Sequence, residues 1–62
     1  MKLIKEYRKN GNPNGNPGTI YKNEYGGEIL YITTTATGDG KDYKTLKGAE
    51  NFMKRRGYVE IA

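Results

Sequence analysis

The chain contains no cysteine, no histidine and no tryptophan. Without the first two, disulfide frameworks, the usual zinc sites, thiol nucleophiles and imidazole acid–base chemistry are all removed, and the composition suits a reducing compartment. No apolar run approaches the roughly 18 residues that a membrane span needs, and no basic-then-apolar leader opens the chain, so the expectation is a protein with no membrane partner and a cytoplasmic location. Apolar residues make up only 34% of the 62 positions, and the count includes six tyrosines. One domain, residues 1–62, with one small core is therefore expected, close to the lower size limit for folding without staples, as a monomer or as a homodimer that supplements its core.

What the chain does have is positive charge and turn residues. Eleven Lys and Arg against seven Asp and Glu give a net charge of +4 and a pI near 9.4, which favours polyanionic partners. Seven of the nine glycines fall in three places, the Gly-Asn-Pro run at residues 10–18, the pair Gly26-Gly27 and the turn Gly38-Asp39-Gly40. The first reads as a long flexible hairpin loop and the others as tight turns.

The segment from Thr45 to Gly57 is the one stretch periodic enough to specify a helix. Thr45 is suited to cap its first turn and Gly57 to close its last in a left-handed conformation. At about 100° per residue, Leu46, Ala49, Phe52 and Met53 fall on one arc, and Lys47, Asn51, Lys54 and Arg55 fall opposite. Glu50 is placed to pair with Lys54 one turn on. Gly48 is costly in a helix and implies either a loose first turn or a close neighbour. Arg56 projects toward the apolar arc, where its stem can lie on the sheet rim and its charge can favour the helix C-terminus.

Before the helix, three strands are expected: Lys2 to Lys9 with imperfect alternation at Leu3-Ile4, Thr19 to Tyr25, and a β-branched run from Glu28 to Thr37. Lys41 to Lys44 can add a short fourth strand, and Tyr58 to Ile61 a terminal one. The predicted class is α+β, a three- to four-stranded antiparallel sheet with one C-terminal helix on one face and a short terminal strand. Ile20, Leu30, Ile32, Thr34 and Ala36 are expected to face the helix. Tyr7, Tyr21, Tyr25 and Tyr31, with Lys5 and Lys9, are expected on the open face.

The run Asp42-Tyr43-Lys44-Thr45-Leu46-Lys47-Gly48-Ala49-Glu50-Asn51-Phe52, an aromatic strand end followed by a capped helix, resembles the strand-to-helix junction of small sheet-plus-helix nucleic-acid-binding modules. The arm-binding domain of tyrosine recombinases and the hybrid-binding domain of ribonuclease H are similar there. That resemblance implies an α+β architecture and a nucleic-acid partner, met in the first family by a three-stranded sheet set into the major groove and in the second by contacts to the duplex backbone. The Lys, Asn, Ile and Tyr bias is also similar to that of small phage or mobile-element proteins.

Two functions follow from these residues. An aromatic and basic sheet face can stack bases while cations collect phosphates, and the basic helix face, Lys47, Lys54, Arg55 and Arg56, can track a phosphate backbone. The alternative is a small module that binds a host protein, such as an inhibitor of a host enzyme or defence complex, with Tyr and Arg as interface anchors. Tyrosines also suit a thin sheet and cations a solvated helix without any partner. No catalytic role, metal or cofactor is expected. A phosphate-binding loop needs Lys and Ser or Thr after its last glycine and then a helix, whereas Thr19 and a strand follow Gly18; the carboxylates of Asp39-Gly40-Lys41-Asp42 lack the ladder of a calcium loop.

Overall fold

A computed structural model describes residues 1–61. Its elements are strands β1 (Lys2–Lys9), β2 (Pro17–Tyr25), β3 (Glu28–Thr35) and β4 (Asp42–Tyr43), helix α1 (Leu46–Arg55) and strand β5 (Tyr58–Ile61). The strands form one antiparallel sheet in the order β4-β3-β2-β1-β5, and α1 crosses one of its faces between the two edge strands. The class is α+β, as the sequence implies.

The Gly26-Gly27 turn sets which residues share a face. Both glycines have positive φ, 60° and 82°, the conformation of a two-residue hairpin turn, and Tyr25 pairs with Glu28. Such a turn matches even-numbered positions of β2 with odd-numbered positions of β3, so Ile20 lies beside Thr33 and Lys22 beside Tyr31. Ile20 is fully buried under the helix, and its row therefore takes Ile29, Tyr31, Thr33 and Thr35 to the helix side. Leu30, Ile32 and Thr34, expected against the helix, are on the open face with Tyr21; Ala36 lies beyond the end of β3.

The adjacent Leu3 and Ile4 mark a bulge. Leu3 pairs with Tyr21 and Lys5 with Ile20, leaving Ile4 as an extra residue that packs against the core. From Lys5 onward the odd residues of β1 face the helix. Tyr7 is consequently buried, at 4% exposure, rather than displayed on the open face. Lys5 and Lys9 are likewise on the helix side, where Lys5 reaches Glu50 of α1 and Lys9 lies 5.2 Å from the Tyr58 ring centroid.

The core consists of Tyr7, Ile20, Ala49, Phe52, Met53 and Tyr58, flanked by Ile4, Tyr31, Tyr43 and Leu46. Burying these apolar side chains supplies the main driving force, about 1.5–3 kcal/mol for each large one. The helix is capped as expected: Thr45 Oγ1 accepts from the Gly48 amide at 3.1 Å, and Gly57 takes a φ of 81° just past the C-terminus. Gly48 meets a close neighbour, because a Cβ there would stand 3.1 Å from the Tyr43 ring. The loop at 10–16, expected to be flexible, is closed by turn hydrogen bonds, among them Lys9 N to Asn16 O and Gly15 N to Asn12 O. Thr33, buried in β3, donates to the Lys41 carbonyl and accepts from the Lys41 amide, both at 2.8 Å, which clasps the segment leading into β4.

Candidate nucleic-acid interface

The outward side of α1 carries Lys47, Asn51 and Lys54 at i, i+4 and i+7, one stripe of the helix, with Arg55 beside it. Lys47, Lys54 and Arg55 are exposed, and none of them has a carboxylate partner among the described residues. Lys41 and Lys44, on the approach to the helix, are also exposed and unpaired among the described residues. Shallow clefts flank the stripe. One of about 360 Å³ lies toward β4, lined by Tyr43, Gly48, Asn51, Lys54 and Arg55. Another of about 420 Å³ lies toward β5, with Lys47 and Lys54 on the helix and Tyr58 and Glu60 on the strand.

The other cations of this side are engaged. Lys5 bonds Glu50 at 2.5 Å and Glu60 at 3.0 Å, so Glu50 serves β1 and does not form the expected pair with Lys54. The two carboxylates hold the Lys5 ammonium well above its ordinary pKa of 10.5. Arg56 follows the helix as its C-cap, lies 5.0 Å from the Phe52 ring centroid and bonds Asp39 at 3.0 Å. Its first duty is to tie the 38–40 turn to the helix end. Lys9 donates to the Arg56 carbonyl, closing the last turn of the helix from β1.

The tyrosines divide between the faces. Tyr21 is half-buried in a cross-strand ladder between Leu3 and Ile32, and Tyr25 stands at the hairpin tip with 85% exposure, both on the open face as expected. Tyr31 faces the helix and packs on the core, and Tyr7 is within it. Burial pushes the Tyr7 hydroxyl above its ordinary pKa of 10.0. An aromatic platform of four tyrosines therefore does not form.

The open face also has the wrong charge for a polyanion. Its register collects Glu6, Glu28 and Asp42 against Arg8, a formal −2, while the chain as a whole carries +4, so the rest of the molecule holds +6. Tyr43, half-buried at the edge of the basic cleft with its ring 5.8 Å from Phe52, is the aromatic residue that the sequence did not single out. Its place beside Gly48 was the available signal. Among the described residues, no helix is long and apolar enough to cross a membrane, and no three His, Cys, Asp or Glu residues are grouped to hold a metal ion. No protein-family model matches the chain, and searches of curated proteins and of solved structures return no match.

Proposed function

We propose that the protein is a small, non-catalytic nucleic-acid-binding accessory protein that contacts the phosphate backbone through the outer side of α1. The observation that carries this reading is the set Lys47, Lys54 and Arg55, exposed and unneutralised among the described residues and flanked by the equally free Lys41 and Lys44, whereas Lys5, Lys9 and Arg56 are taken up by carboxylates or carbonyls. Phosphate contacts need cations within reach and little else, so base specificity is low. Because no tyrosine on the helix side is fully exposed, base stacking contributes little, and duplex is favoured over single strands. The test is a titration of labelled duplex and single strands with the protein across about 50 to 200 mM salt. A steep fall, with a log–log slope near −0.9 per duplex phosphate contacted, supports the reading. Binding that is equally weak at both ends of the range refutes it.

A second reading is a module that binds a host protein, such as an inhibitor of a host enzyme. It is favoured by the apolar ladder Leu3, Tyr21, Ile32 and the neighbouring Leu30 on the uncovered side of the sheet. Capture from lysate with and without nuclease separates the two: a partner retained after nuclease supports the protein, one lost supports the nucleic acid.

A further inference from the structure

We infer that the uncovered face of the sheet is the docking surface for a basic amphipathic helix of another protein. The observation is how the seven Asp and Glu carboxylates of the chain divide. Glu24, Asp39, Glu50 and Glu60 are each bonded to a lysine or an arginine. Glu6, Glu28 and Asp42 have no cationic partner among the described residues, and all three are exposed. The strand register puts all three on the open face. Arg8, the side-chain cation that shares this face, donates to the Tyr7 carbonyl at 2.9 Å and pairs with none of them.

The free carboxylates surround the apolar row. Leu3, Tyr21 and Ile32 stand side by side on β1, β2 and β3, and Leu30 adjoins Ile32 along its strand. Asp42 continues the row at the β4 edge, opposite Ile32. Glu28 lies beyond Leu30 toward the hairpin turn, and Glu6 lies on the other side, beside Thr19, the next open-face position of β2 after Tyr21. Neighbouring strands are about 5 Å apart, so the row is about 10 Å long, close to the rise of two helical turns. A helix that crosses the strands, as α1 does on the other face, can lay residues i, i+4 and i+7 on this row and aim flanking Lys or Arg at the carboxylates.

Charge selects the occupant. Three unneutralised carboxylates repel nucleic acid. A second copy laid face to face sets three free carboxylates from each chain against one Arg8 from each, a like-charge contact. The outer side of another copy's α1 offers Lys47, Lys54 and Arg55 but no apolar side chain for the row. A partner with an apolar stripe between cations meets both requirements. This inference rests on the protein-binding reading and narrows it, and it is independent of nucleic-acid binding at α1.

The probe is a synthetic helical peptide with leucines along one stripe and lysines on both flanks, compared with a twin that carries glutamates in place of the lysines. Each is titrated into the isotope-labelled protein and followed by amide NMR. The lysine peptide is expected to shift the amides of Leu3, Tyr21, Leu30 and Ile32 and to leave those of Lys47 and Lys54 in place, and the glutamate twin to bind about tenfold more weakly or worse. Glu6→Gln, Glu28→Gln and Asp42→Asn together should weaken the lysine peptide by about tenfold, the scale of three rim ion pairs. If that triple variant fails to fold, the comparison of the two peptides on the native chain decides. Equal or tighter binding of the glutamate twin, shifts confined to the helix side, unchanged binding by the triple variant, or no binding of either peptide at millimolar concentration would each overturn the inference. The lysate capture tests the protein-binding reading by itself, and a preference for the glutamate twin leaves that reading standing.

Discussion

The two faces of the sheet use similar residues for different ends. On the helix side, Ile20 and Met53 are sealed and Thr33 is bonded twice, while Lys5 is bracketed by two carboxylates. On the open side, Leu3 stays 45% exposed, and Leu30 and Ile32 are only half-buried. An apolar residue on one face is thus a structural element, and on the other a surface. The charges divide too, with acids in excess on the open face and free cations on the outer side of α1. This separation argues that any polyanion approaches from the helix and any apolar protein partner from the sheet.

Mutations can break that contrast in order of severity. Met53→Ala, in the core, should cost about 2–5 kcal/mol, a large part of the stability expected for a domain of this size, and thermal denaturation should show the native state largely lost. Thr33→Val keeps the volume but strands the Lys41 amide, while the Lys41 carbonyl keeps the Thr33 backbone amide, for a loss of about 1–3 kcal/mol. Amide exchange around Lys41 to Tyr43 should rise in the same variant. By contrast, Leu30→Thr with Ile32→Thr should change stability by less than about 1 kcal/mol, since both side chains are already wet; a loss as large as that of Met53→Ala would mean that the open face is covered. Lys47→Glu with Lys54→Glu should leave stability within about 0.5 kcal/mol and flatten the salt dependence of duplex binding by about two phosphate contacts.

The smallest effect is alkaline. Tyr7, raised by burial, and Lys5, raised by its carboxylates, both keep their protons longer in the folded chain than in the unfolded one. Their contribution is complete below the ordinary values of 10.0 and 10.5 and is lost as pH rises through the higher folded values. Stability should therefore be insensitive to these two groups near neutrality and decline above about pH 10. Ultraviolet titration should show Tyr7 ionising above the ordinary value of 10.0.

The helix, its caps and the number of strands were legible because each depends on neighbours in sequence: Thr45 with Gly48, Leu46 with Ala49 and Phe52. The assignment of faces was less so, although part of it lay in the turn. A two-residue Gly26-Gly27 hairpin excludes Ile20 from the face of Leu30 and Ile32, and applying that parity would have moved Tyr31 to the helix side. For Tyr7 no such rule was available, since the bulge at Ile4 shifts the phase of β1 and depends on how β1 meets β2. The partners of Glu50 and Arg56 were equally hidden. Lys5 and Asp39 are 45 and 17 residues away from them in the chain, and only the closed fold brings them near.

The pairing of Glu6 with Ile61 has a consequence in time. The β2–β3 hairpin closes over two residues and can form within microseconds, whereas β1 and β5 must find each other across nearly the whole chain. Tyr7 and Tyr58 sit on those two late-meeting strands, so the core cannot be finished by the early hairpin alone. Assembly is thereby forced to be a single concerted event, with the last-docking segment deciding whether all the rest persists.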